Sequence, residues 1–320
     1  MPADLMELGD GRFAYAGREP AWHMLGEVKA DAKTMTELAQ LAGLTYEYVK
    51  TPVFYGVEAL DGTWHHQFVG KSVLTKNGLE PLAIVSDGYE FAQPMEHAAA
   101  VDRIIEAGGA GWTPETALAL GKGETTVFCA KMGGWDVRGD PLQDYFLVTD
   151  TVDGRHSLQI CVVTLRVVCR NTLRIGLSTA RARFNLNHVT GHRVAYEQAV
   201  KAIIEAQGRV REALEKLTKV QFTERKLRDY LERVFQKPSD DEDSKIVRRM
   251  GELQQSAYGF AMKMVEEEGL ELTGYTAYNA VSEAVEWGGV LPKLSTKKSL
   301  VLGTGPASAT LERAFVLASQ

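Results

Sequence analysis

Residues 113–170 read TPETALALGKGETTVFCAKMGGWDVRGDPLQDYFLVTDTVDGRHSLQICVVTLRVVCR, and the fold turns on this stretch. Four runs rich in β-branched and aromatic residues stand out: ETALALG, TTVFCAKMG, DYFLVTDT and SLQICVVTLRVVCR. Gly- and Asp-rich breaks separate them, GKGE, GGWDVRGD and VDG, and breaks that short join antiparallel neighbours. The pattern predicts a β-meander. In the last run Cys161, Val163, Leu165, Val167 and Cys169 fall on one wholly apolar face. Val162, Thr164, Arg166, Val168 and Arg170 fall on the other. The first face is expected to pack on helices, the second to meet solvent or a ligand. Asn171 then reads as the N-cap of a helix over TLRIGLSTARARF, with Arg174 and Arg181 on one of its faces.

Working outward, Thr34 or Thr36 would cap a short helix that ends near Gly43. VFYGVEAL, Asp61-Gly62 and TWHHQFVG form a hairpin pattern, and LAIVS, Asp87-Gly88 and YEFAQ repeat it. Pro94 to Ala107 is an amphipathic helix whose apolar face is Ala98, Val101, Ile104 and Ile105, stopped by Gly108 and Gly109. A long helix runs from His192 to about Leu217, and further helices cover roughly 223–236, 243–268 and 276–287. The fold class is α+β: a central antiparallel β-meander followed by a helix, with a helical C-terminal region. Three regions are expected, 1–80 (strand and loop), 81–220 (meander plus long helix) and 221–320 (helical).

Charge is sorted along this chain. The 320 residues carry a net charge of −6, yet the 43 residues from Gly154 to Tyr196 hold no Asp, Glu or Lys and seven arginines. Those are Arg155, Arg166, Arg170, Arg174, Arg181, Arg183 and Arg193. Guanidinium forks match phosphate oxygens two at a time, so the stretch points to a polyanion. Ordinary surface arginines paired with carboxylates are the competing reading. Bases also stack on rings, and Tyr89, Phe91, Trp112, Trp135, Tyr145 and Phe184 lie near the expected sheet. Phe184 and Tyr145 have the most polar neighbours.

Other motifs carry less. His65-His66 and His188 with His192 lack the partners of a metal site, and no metal or other cofactor is expected. Gly303-Thr304-Gly305 before Pro306 lacks the Walker spacing and reads as a loop-to-helix junction. Cys129, Cys161 and Cys169 sit in apolar surroundings and read as reduced core residues. No apolar run reaches the roughly 18 residues of a spanning helix, and the acidic start MPADLMELGDGRF lacks a signal peptide's basic region, so a cytoplasmic protein with no membrane partner is expected.

Several of these elements are similar to a phage/plasmid-like protein family of unknown function. They are Val85, Ser86 and Tyr89, and the run from Gly154 to Leu173 that contains RVVCRNTL. Trp22-His23, Leu25-Gly26 and Tyr278-Asn279-Ala280-Val281 with Glu283 also fit. The resemblance covers roughly residues 15–290, and a mobile-element origin implies a bacterial host cell. At the level of topology the meander-then-helix order resembles phage single-strand annealing proteins of the Red-beta, RecT, Erf and Rad type. That likeness implies a non-enzymatic, ATP-independent protein that binds single-stranded DNA as a homo-oligomeric ring or filament, with a possible partner nuclease. Arg155, Arg166, Arg170, Arg174, Arg181, Arg183 and Phe184 are the candidate nucleic-acid contacts. The alternative is a non-enzymatic mobile-element module that binds and modulates a host enzyme through its acidic helices, around 240–243 and Glu266, Glu267 and Glu268.

Overall fold

The Thr34 hydroxyl accepts the Glu37 N–H at 3.1 Å, and this N-cap starts helix α1 (Met35–Leu41). Asp102 reinforces that end, accepting from Met35 N–H at 2.5 Å, Thr36 N–H at 3.0 Å and the Thr36 hydroxyl at 2.6 Å. The carboxylate meets the positive end of the helix and satisfies donors that lack intrahelical partners. Asp102 belongs to helix α2 (Pro94–Gly108), which begins at a capping box of Gln93 and Glu96 and stops at Gly109, φ +97°. Gly108 is required by packing: a Cβ there would lie 2.2 Å from the Trp112 ring.

The structure is a computed structural model that describes residues 5–9, 11–19, 25–154, 158–166, 172–173, 181–182, 196–236, 245–287 and 305–320. Short strands β1 (Glu7–Leu8) and β2 (Arg12–Phe13) pair with each other. A three-stranded antiparallel sheet is formed by β5 (Tyr48–Glu58), β6 (Trp64–Lys76) and β7 (Glu80–Ser86). The Asp61-Gly62 hairpin is present as expected. LAIVS instead pairs back onto β6, and YEFAQ is not a strand. Tyr89 of that segment is buried, which places it in the core instead of on a ladder.

The remaining strands make an eight-stranded sheet. They are β3 (Tyr15–Gly17), β4 (Glu27–Val28), β8 (Thr113–Leu120), β9 (Thr125–Val137), β10 (Asp140–Thr151), β11 (Gln159–Arg166), β12 (Thr172–Leu173) and β13 (Arg181–Ala182). The order is β12-β11-β10-β9-β8-β3-β4, with β13 also paired to β11. Consecutive strands are neighbours from β8 to β12, so the meander stands.

Two expectations are corrected here. GGWDVRGD is not one long turn: β9 continues to Val137, and only Arg138 and Gly139, both at positive φ, make the bend. Asn171 does not open a helix over all of TLRIGLSTARARF. Leu173 pairs with Thr164 and Thr172 with Leu165, and Arg181–Ala182 is also a strand. Free backbone groups on the edge of β11 offer a complete ladder, which overrides a cap signal of about 1 kcal/mol.

Helices α3 (Tyr196–Leu217), α4 (Glu224–Val234), α5 (Lys245–Glu266), α6 (Gly274–Trp287) and α7 (Gly305–Ala318) follow. On α3 the buried residues Val200, Ile203, Ala206, Val210 and Leu214 recur every three or four positions, one face of a helix. The chain forms two compact units. The first comprises Met1–Lys131, Leu147–Ile160 and Arg183–Lys201, the second Met132–Phe146, Cys161–Ala182 and Ala202–Gln320. In the first, α1 packs on α2 and β8 around Met35, Leu38, Val101 and Ile104. In the second, α6 packs against α5 and α7 around Tyr278, Val281, Ala261 and Leu311. No helix among the described residues is long and apolar enough to cross a membrane.

Candidate nucleic-acid interface

The arginine stretch attaches to β11. Arg166 ends that strand, and Arg181 begins β13, which pairs with it, so the backbone brings these two positions into neighbouring strands of one sheet. Arg155, Arg170, Arg174, Arg183, Arg193 and Phe184 lie outside the described residues, as do His188, His192, Trp22, His23 and Cys169. Nothing therefore places the predicted phosphate contacts in a single groove.

The second face of β11 does not meet solvent from Ile160 to Thr164. Ile160, Cys161, Val162, Val163 and Thr164 are all buried, so both faces are covered. The cause on the Thr164 side is a polar hub in the second unit. The fully buried Asp144 accepts through Oδ1 from the Trp135 indole N–H at 3.0 Å and the Thr164 hydroxyl at 2.7 Å. Its Oδ2 accepts from the Gln207 amide at 2.6 Å and from Arg211 Nη2 at 3.1 Å and Nε at 3.3 Å. A carboxylate has about four lone-pair sites, and five N–H and O–H groups occupy them. Asp144 has no capacity left for a metal or a substrate proton. It locks α3 to β9, β10 and β11. Arg211 also lies over the Trp135 ring, 5.0 Å from its centroid. The half-buried Trp135 is thus tied to the sheet by its indole N–H and carries Arg211 over its ring.

A second cluster fills the first unit. His97 Nε2 and Asp150 Oδ2 are 2.9 Å apart, both residues are buried, and Phe128 flanks the imidazole with centroids 6.3 Å apart. Tyr46 and Tyr48 both donate to the Gly123 carbonyl, at 2.9 and 2.6 Å. Burial pushes the phenols of Tyr46, Tyr48 and Tyr89 up, and for Tyr89 the charges of Asp150 and Asp153 add to it. These hydroxyls stay protonated, and the cluster reads as core bonding. In the second unit the Tyr275 hydroxyl donates to buried Asp140 at 2.5 Å beside a cavity of about 340 Å³. At that cavity Arg138 faces Glu271 at 3.9 Å, so it offers an anion no net positive charge. Among the described residues no group of three or more His, Cys, Asp or Glu is placed to hold a metal ion.

Sequence reasoning missed a set of exposed rings. Phe54, Tyr55, Trp64 and Phe68 of the β5–β6 hairpin are 57 %, 45 %, 62 % and 40 % exposed. The available signal was the lack of alternation: VFYGV and WHHQFV place large apolar groups on both faces, so at least one must be uncovered within the hairpin.

The family described as Domain of unknown function (DUF932) matches residues 81–300. The chain belongs to this family. The DUF932 segment includes the meander, the arginine stretch and helices α2 to α6, whereas β5 and β6 lie before it. No curated protein and no solved structure matches the chain.

Proposed function

We propose that this DUF932 protein binds single-stranded DNA through the arginine stretch and promotes strand annealing as a homo-oligomer, without catalysis or a cofactor. The observation that carries the reading is the sorting of charge: seven arginines and no acid across Gly154–Tyr196, in a chain of net charge −6. Phosphate contacts of this kind set affinity without reading sequence. The pairing of β12 and β13 with β11 supports the reading, since it folds the stretch back on one strand. So does the order of consecutive sheet strands β8 to β11 before the long helix α3, which resembles phage annealing proteins. The same reading places the protein in the bacterial cytoplasm as a phage or plasmid product, with a nuclease as a natural partner.

Binding of a fluorescent oligonucleotide tests it. The wild type should bind more weakly as salt rises, and the Arg166→Ala/Arg170→Ala/Arg174→Ala variant should lose most of that binding and the annealing of complementary strands. Undiminished binding by the variant, or salt-insensitive binding by the wild type, overturns the proposal.

A further inference from the structure

Beyond Lys71, towards its tip, the β5–β6 hairpin stands without β7, whose pairing to β6 runs only from Lys71 to Lys76. Over residues 53–69 it is a two-stranded ribbon with both edges free among the described residues. Phe54 lies opposite Phe68, Gly56 opposite His66 and Glu58 opposite Trp64. Cross-strand partners share a face, so Phe54, Phe68, His66 and Trp64 form a continuous row of rings on one side. The two phenylalanine rings are 5.8 Å apart, and the Trp64 ring lies across Gly56, where a Cβ would come within 3.0 Å of it. Val57, 50 % exposed, is on the opposite face.

A two-stranded ribbon is marginal alone in water, and proteins guard free edges with lysines or inward charges. From Thr51 to Gly70 this ribbon has no Lys or Arg. We propose that it is a self-association surface, covered in solution by the same ribbon of a second copy of the chain. Aromatic side chains bring 150–250 Å² each, so at the observed exposures of Phe54, Tyr55, Trp64 and Phe68 the ribbon presents about 400 Å² of aromatic surface. A stable interface buries about 800 Å² per partner, so the rings supply about half of a dimer contact, and the paired strand edges with Val57 and Val69 add to it. Two identical edges pair antiparallel about a two-fold axis and close on themselves. DNA is the poorer occupant, because Glu58 and Asp61 stand beside the rings and no Lys or Arg lies between Thr51 and Gly70. The inference supplies the contact between copies that the annealing reading needs, and rests on that reading only for its purpose.

Sedimentation of the full chain without DNA, over a range of concentrations, tests it. The wild type should sediment at a multiple of the single-chain mass. Trp64→Lys/Phe68→Lys, and a chain with residues 53–69 replaced by an Asn-Gly turn, should fall to the single-chain mass while keeping a cooperative melting curve, now independent of concentration. Hydrogen exchange on the unmodified chain gives a readout that needs no variant: amides of 53–58 should become more protected as concentration rises. A wild type that stays a single chain, folded variants that keep the wild-type mass, or ribbon amides indifferent to concentration overturns the inference. A chain that associates through the ribbon but binds no oligonucleotide sinks the annealing reading alone. A protein that is a single chain without DNA yet assembles on an oligonucleotide and anneals it sinks this inference alone.

Discussion

Asp144 and Arg211 make an unequal pair. The carboxylate is fully buried, whereas the Arg211 side chain is 38 % exposed. Removing Asp144 strands donors from Trp135, Thr164 and Gln207 in the interior. Removing Arg211 leaves a carboxylate that still has three donors, and water had already weakened the lost contact. Asp144→Ala should therefore cost about 3 kcal/mol. Arg211→Ala should cost about 1 kcal/mol. Urea unfolding of the two variants measures the difference, and equal losses would show that Asp144 is not the hub. Glu115 offers a pH-dependent contrast. Burial, then the charge of Glu19, holds its carboxyl above the ordinary value of 4.5. The folded state thus keeps a proton that the unfolded chain gives up. The stabilisation is complete below pH 4.5 and is lost as pH rises through the folded value. Glu115→Gln should gain stability over the wild type progressively from acid to neutral pH. Melting temperatures across that range check it, and a constant offset would contradict the assignment.

At the level of elements, Arg138 is a side chain in the wrong backbone region. Its φ is +50°, beside Gly139 at +91°, as a two-residue primed turn requires, and its ion pair to Glu271 is long and exposed. Arg138→Asn should relieve part of a strain of about 1 kcal/mol and raise the melting temperature. A drop would mean that the contact to Glu271 outweighs the backbone. The same element shows what was readable in the sequence. Helix α2 was legible because Pro94, the spacing of Ala98, Val101 and Ile104, and the terminal glycines all agree. Gly133-Gly134-Trp135 misled because two glycines imitate a turn. In fact Gly134 lets the Leu142 carbonyl lie 3.3 Å from where its Cβ would be, and Trp135 is held by Asp144 from the next strand. Asn171 misled for a related reason, since the edge of β11, seven to nine residues back along the chain, is a partner that a cap signal does not contain. The candidate site was legible as charge, because sorting along the chain needs no fold. Which arginines share a surface depends on pairings such as β13 with β11, and spacing does not reveal those.

For the whole molecule, salt separates a few strong phosphate contacts from general attraction, which a chain of net charge −6 does not favour. Each phosphate neutralised on a single strand contributes about 0.7 to the slope of log affinity against log salt. Removing Arg166, Arg170 and Arg174 together should flatten that slope by about 2 if each holds one phosphate. A weaker variant with an unchanged slope would move the contacts elsewhere. The division of the sheet has a consequence of a different kind. The residues of β9 and of β10 are each divided between the two compact units, so the first unit, mostly the first 131 residues, still needs Leu147–Ile160 and Arg183–Lys201 to be whole. On the ribosome its N-terminal portion must wait, unfinished, while part of the second unit is synthesised between its own segments. Domains that fold as they emerge do so only once their last contributing segment is out. A stop codon or a fragment boundary placed near residue 131 would therefore release an incomplete sheet edge, not a small working domain.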